Sequence, residues 1–199
     1  MPRNRAPEEI NYIVIHTVQG SLESAVRTFG SSGLSYPRSA HYTVGKSGEV
    51  VKSVPVDEIA WHAGTDPPGS GGKHESKVLN ENSIGIEHGG YVDESEFPTR
   101  EQYVASAALT RYLSQVYDIP IDRDHIVGHD EIKSTKGDPG PQWNWDYYMG
   151  LVRRGTKVPY LPTEEEGDEV PARVTGGYFL PLTLLGTGIG LISLGLLNG

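Results

Sequence analysis

Three side chains have the donor types of a zinc site. His16 stands near the end of the pattern Tyr12-Ile13-Val14-Ile15-His16-Thr17. His129 and Asp138 belong to a distant cluster, Gly128-His129-Asp130 running on to Lys136-Gly137-Asp138-Pro139-Gly140-Pro141. Two imidazoles and one carboxylate make a three-ligand set for zinc that leaves the fourth position to water. A catalytic zinc needs that open position, whereas a structural zinc closes it with a fourth protein ligand. If the three side chains converge, the chain is a zinc hydrolase. Taken singly, each has a plainer role. A histidine near a strand end is commonly structural, and an aspartate before Pro-Gly commonly caps a turn.

Two further groups suit such a centre. Glu87 ends the apolar run Ser83-Ile84-Gly85-Ile86-Glu87 with no basic neighbour in sequence. A carboxylate there is costly to bury unless it is paired or working. As a general base it would take a proton from water. Lys136 lies two residues before Asp138, and in an extended stretch residues two apart point the same way. Its ammonium would stabilise a developing oxyanion. The plain alternatives are an exposed strand-end glutamate and a surface lysine.

These groups need regular elements to hold them. Residues 10–17 alternate β-branched and aromatic side chains, a strand pattern that puts Tyr12, Val14 and His16 on one face. Residues 21–29 fit a helix opened by Ser21. Residues 41–44 and 50–54 read as a hairpin with Gly48 in its turn. Residues 83–87 form an inner strand in which Gly85 permits close backbone approach. The clearest helix spans 99–117, with Thr99 and Gln102 as a capping box and Ala105, Ala108, Leu109, Tyr112, Leu113 and Val116 on one face. Another short strand, 125–127, delivers His129 to the loop that follows. The sum is an α/β fold, a mixed central β-sheet flanked by helices.

At 199 residues, with 36% hydrophobic and 22% charged residues, the chain has room for one well-buried domain and a tail. Without cysteine it has neither disulfides nor thiolate zinc sites. The net charge of -9 comes without a basic stripe, which argues against nucleic acid as a partner. No signal peptide is visible, because no apolar core follows Met1-Pro2-Arg3-Asn4-Arg5. The expected organisation is a catalytic domain over 1–157, an acidic Pro/Gly linker over 158–177 and a hydrophobic segment over 178–197. That last run of about 20 apolar residues would span about 30 Å as a helix, enough for a hydrocarbon core. Gly186 and Gly190 offer a close helix–helix contact. The expectation is a transmembrane helix; the alternative is a hydrophobic element docked on the globular domain.

The motifs in order carry a resemblance. Tyr-Ile-Val-Ile-His16-Thr, Ser39-Ala40-His41-Tyr42, Ala60-Trp61-His62-Ala63-Gly64, Asn82-Ser83-Ile84-Gly85-Ile86-Glu87, Val127-Gly128-His129-Asp130-Glu131-Ile132 and Lys136-x-Asp138-Pro-Gly-Pro resemble the type 2 N-acetylmuramoyl-L-alanine amidases. That family is related to peptidoglycan recognition proteins and phage endolysins. The likeness spans roughly residues 10 to 150. It implies that His16, His129 and Asp138 hold one zinc ion, that Glu87 is the catalytic glutamate and that Lys136 is the lysine near the metal. His41, Trp61 and His62 are expected to line the cleft, contacting sugar or peptide or supporting the metal shell; their plain alternative is core packing. Some relatives carry a tyrosine where this chain has Ala40, so that role does not transfer. Some use cysteine where this chain has Asp138.

The implied substrate is the amide between N-acetylmuramic acid and L-alanine of the stem peptide, in peptidoglycan or a released muropeptide. The implied role is that of a phage-type endolysin or of a lytic or recycling amidase. The alternative is a non-catalytic peptidoglycan-binding protein tethered to a membrane; the complete metal set favours the enzyme. The expected location is the membrane, through the C-terminal segment, or the host cytoplasm before lysis.

Overall fold

The computed structural model describes residues 4–29, 38–64 and 71–155, together with the backbone of 173–175 and 178–180. Strand β1 (Tyr12–Thr17) sits inside the sheet, as its unbroken run of apolar residues requires. β4 (Ser83–His88) and β5 (Ile126–Gly128) flank it, both parallel to it. β2 (Tyr42–Val44) continues the sheet parallel to β4, and β3 (Val50–Lys52) pairs with β2 antiparallel. The hairpin between β2 and β3 turns at Gly48, whose φ of 84° is a left-handed conformation that glycine adopts without strain.

Helices α1 (Leu22–Phe29), α2 (Arg100–Val116) and α4 (Trp145–Arg154) and the single turn α3 (His129–Ile132) complete the described body. The sheet is mixed and the helices pack on it, as the sequence pattern predicts.

The inner strands bury both faces. Ile13, Ile15, Ile84, Ile86 and Ile126 join the main core with Leu109 and Leu113 of α2 and with Tyr148 and Met149 of α4. On the opposite face, Val14 and Val127 pack with Ala63, Val78 and Ile132 in a smaller cluster, against which Tyr12 also lies. His16 extends this second face beyond Val14. The parallel register places Ser83 beside Tyr12, Gly85 beside Val14 and Glu87 beside His16. The strand pair thus presents His16 and Glu87 on the same side.

Helix α2 begins where its capping box predicts. The Thr99 side chain accepts from Gln102 N at 3.1 Å, and Gln102 Oε1 accepts from Thr99 N at 3.0 Å. Its buried stripe differs from the expected one. Ala105 and Tyr112 are only partly buried and Val116 is 40% exposed, whereas Gln102, Ser106, Thr110 and Ser114 are buried. The cause is α4. The Tyr148 hydroxyl meets Thr110 Oγ1 at 2.6 Å and Ser106 Oγ at 3.0 Å, so polar side chains enter the helix interface already hydrogen-bonded.

The C-terminal expectation needs correction at its start. Arg173–Thr175 (β6) and Tyr178–Leu180 (β7) are extended and pair antiparallel, and β6 joins the sheet edge through Val51 and Arg173. The local sequence explains this: β-branched and aromatic residues flank Gly176-Gly177, a two-residue hairpin signal. Residues 178–180 therefore do not open a helix. The remainder of both segments lies outside the described residues, including the Gly186 and Gly190 pair. No helix among the described residues is long and apolar enough to cross a membrane.

Tyr148→Phe removes the hydroxyl that satisfies Ser106 and Thr110 in the α2–α4 interface. It should lower unfolding stability by about 1–3 kcal/mol, measured by urea denaturation; an unchanged midpoint would show that the two hydroxyls are satisfied in another way.

Candidate metal and catalytic site

The site is built where β1, β4 and the loop after β5 come together. His16 is brought there by strand alternation. His129 is brought by β5 and the turn α3, which Gly128 caps. Glu131 anchors that turn: its Oε2 accepts from Gly128 N at 2.8 Å and pairs with Arg123, whose guanidinium lies 3.3 Å from the centre of the Trp145 ring. Two bonds hold the segment bearing Asp138. Asp130 N donates to Asp138 O at 2.9 Å, and Thr17 Oγ1 donates to Pro139 O at 3.0 Å. The aspartate is thereby tied to the elements that carry both histidines.

The three predicted ligands converge. His16 Nδ1 lies 3.1 Å from His129 Nδ1 and 3.1 Å from Asp138 Oδ2, and His129 Nδ1 lies 3.1 Å from the same oxygen. Tetrahedral ligands about 2.0–2.1 Å from one zinc stand roughly 3.3 Å apart, close to this triangle. Hydrogen bonds alone fit it poorly. Two ring N–H groups can both point at the carboxylate, but the two ring nitrogens then confront each other as donors. A cation between three lone pairs resolves the conflict. Two nitrogens and one carboxylate oxygen are also a donor set that zinc accepts.

The electrostatics agree with this arrangement. Burial, helped by the nearby His129, lowers the His16 pKa to about 4, so this ring is neutral and offers a lone pair. Burial works against the Asp138 carboxylate, but its bonds with His129 and His16 outweigh that and hold it well below the usual range. Glu87 responds in the other direction. Burial, with the Asp138 charge adding to it, raises the Glu87 pKa to about 8 despite the opposing Lys136. Its Oε2 is buried and has no hydrogen-bond partner among the described residues.

A cavity of about 900 Å³ opens over the triangle. Its walls include His16, His129 and Asp138 along with Glu87, Lys136, Trp61 and His62. Trp61 is 41% exposed and so available to a ligand.

His41 takes the core-packing alternative instead of a place in the cleft. It is fully buried and absent from the cavity wall. Its Nδ1 accepts from Gly85 N at 3.0 Å, and its Nε2 lies 2.8 Å from the buried Arg5, which also donates to Val56 O, Asn80 O and Ser83 O. His41 thus belongs to the internal scaffold beneath β4. Sequence reasoning missed Arg38, Ser39, Asn80 and Lys133, which also line the cavity. Only the place of Ser39 within the Ser39-Ala40-His41-Tyr42 motif, with Arg38 just before it, signalled any of them.

In the metal-free protein Glu87 binds its proton more tightly folded than unfolded. That contribution is complete below the ordinary carboxylate range and disappears as pH rises through about 8. Metal-free wild type should therefore lose stability relative to Glu87→Gln as pH rises from about 5 to about 8. The opposite contribution from His16 is common to both proteins and cancels in the difference. Thermal unfolding across that range checks this; parallel profiles would show that Glu87 titrates normally.

Comparison with known proteins finds relatives. A family model described as N-acetylmuramoyl-L-alanine amidase matches residues 6–141. Over 115 residues the chain is 39% identical to the 1,6-anhydro-N-acetylmuramyl-L-alanine amidase AmpD of Salmonella typhimurium, 57% of each chain. The match thus spans little more than half of that relative's length. The AmpD of Haemophilus influenzae is 29% identical over 164 residues, 74% of this chain and 85% of that one.

Among solved structures, the fold is similar to that of a selenomethionine AmpD derivative, with a TM-score of 0.59 and 27% identity over 75% of this chain and 89% of the other. It is also similar to the Escherichia coli N-acetylmuramyl-L-alanine amidase AmiD in complex with the substrate anhydro-N-acetylmuramic acid-L-Ala-D-gamma-Glu-L-Lys. There the TM-score is 0.58 and the identity 25%, over 71% of this chain and 58% of that one.

Proposed function

We propose that this chain, which belongs to the N-acetylmuramoyl-L-alanine amidase family, hydrolyses the amide between the muramic acid lactyl group and L-alanine, with zinc held by His16, His129 and Asp138. The observation that carries this reading is the 3.1 Å triangle of ligand atoms on a cavity wall that Glu87 shares. Released anhydro-muropeptides are the proposed substrates and cell-wall recycling the proposed role. The AmpD relatives are named for 1,6-anhydro-N-acetylmuramyl-L-alanine, and the AmiD complex holds an anhydro-muramyl peptide.

Bound zinc would polarise the amide carbonyl and lower the pKa of a water molecule. The remaining work falls to this chain's own side chains. His16 and His129 give neutral nitrogen donors, and Asp138 gives a carboxylate fixed in its charged form. Positive charge held by these three favours the carboxylate form of Glu87 over the protonated one. Oε2 of Glu87 then takes a proton from the attacking water and returns it to the alanine nitrogen as the amide bond breaks. Lys136 stands on the same wall, where its ammonium can stabilise the negative charge that develops on the carbonyl oxygen. The half-exposed face of Trp61 offers an apolar platform for the sugar.

Digestion of anhydro-muropeptides with mass analysis of the products tests this reading. Free stem peptide beginning at L-alanine should appear, and prior removal of metal with a chelator should abolish it. Glu87→Gln should keep zinc by elemental analysis and lower kcat by about 10²–10⁴-fold. Turnover that survives metal removal would refute the zinc reading, and a fully active Glu87→Gln would refute the base assignment. Binding of muropeptide without any free alanine amine would point to a recognition protein instead.

A further inference from the structure

We propose that His62 is a positioning residue that fixes the tautomer and orientation of His16, so that Nδ1 of His16 is the atom presented to the metal. The proposal rests on the zinc reading above. His16 Nε2 lies 3.1 Å from His62 Nδ1, and the two rings meet edge to face with centres 5.1 Å apart. His62 Nε2 lies 3.4 Å from Ser83 Oγ, and Ser83 Oγ donates to the Leu79 carbonyl.

The direction of the chain follows from its far end. A carbonyl can only accept, so the serine proton goes to Leu79 and the serine lone pairs face His62. His62 then carries its proton on Nε2 and offers a bare Nδ1. His16 must in turn carry its proton on Nε2, which leaves its Nδ1 lone pair facing His129 and Asp138. One backbone oxygen thus sets the tautomers of two rings. Metal-bound histidines characteristically donate their other ring N–H to such an acceptor.

The seat of the His62 ring is built independently of those bonds. Asn80 Oδ1 accepts from both His62 N at 2.9 Å and Ala63 N at 2.8 Å, which pins the backbone on each side of the ring's attachment. Strand β4 passes directly against the ring. A Cβ placed on Gly85 would lie 2.6 Å from His62 Cγ, so only glycine admits the imidazole there. His62 borders the cavity, yet both its nitrogens are engaged on the protein side. That distinguishes it from a substrate contact.

The test uses the full chain and compares wild type with His62→Phe, His62→Asn and Ser83→Ala. Zinc Kd is measured by competition with a chelating dye at one neutral pH. His62→Phe keeps the ring volume without an acceptor and should weaken zinc binding about 10–100-fold. His62→Asn puts an amide oxygen near the position of Nδ1 and should recover most of that loss. Ser83→Ala should weaken binding less than His62→Phe. Long-range ¹H–¹⁵N spectra of zinc-loaded wild type should show His62 protonated on Nε2 alone.

Zinc binding by His62→Phe equal to wild type, equal losses in the Phe and Asn variants, or a proton on His62 Nδ1 would each overturn the proposal. Should His62→Phe fail to fold, the Ser83→Ala affinity and the wild-type spectrum decide it. Wild type that binds no zinc would sink the metal reading itself, an outcome separable from all of these.

Discussion

Two imidazole nitrogens and a carboxylate oxygen held 3.1 Å apart in a triangle fit hydrogen bonds alone poorly. A divalent cation in the space they share would satisfy all three at once. Much of the nearby structure serves to keep this triangle closed. Thr17 next to His16 bonds the carbonyl after Asp138, and the amide after His129 bonds the Asp138 carbonyl. Each ligand is thus secured to the backbone of another, so displacement of one strains the rest.

The sheet supplies the remaining chemistry through register. Because β1 and β4 run parallel with His16 opposite Glu87, a carboxylate stands beside the His16–His129–Asp138 group without any loop having to place it. Rigid strands suit such a role, since productive geometry tolerates errors of only about 0.5 Å. Burial raises the Glu87 pKa to about 8, and a cation nearby lowers it again. In the proposed mechanism the same carboxylate is tuned by the bound ion. The surface of β4 that faces the site alternates Ser83, Gly85 and Glu87, which supply a hydrogen bond to His62, room for its ring, and the carboxylate proposed as proton carrier.

Features that depend on strand or helix periodicity were legible in the sequence. β1, the β2–β3 hairpin, β4 and the start of α2 lie where their patterns put them, and His16, His129 and Asp138 converge, with Glu87 beside His16 on the shared cavity wall. What escaped depends on partners distant in the chain. The buried stripe of α2 includes Ser106 and Thr110, and only the Tyr148 hydroxyl on a later helix makes that tolerable. His41 looked like a cleft residue, but Arg5, from an irregular N-terminal segment, holds it in the interior. Gly85 signalled close approach without saying what approached; the His62 ring does. At the other end, hydropathy alone suggested a helix from residue 178, whereas β-branched and aromatic residues around two glycines make 173–175 and 178–180 a strand pair.

The most direct test of the central claim is anomalous X-ray scattering at the zinc edge from crystals of the full chain grown with zinc. The account predicts one strong peak within about 2.0–2.2 Å of His16 Nδ1, His129 Nδ1 and Asp138 Oδ2. A peak bound through other atoms, or none among these three side chains, would contradict it.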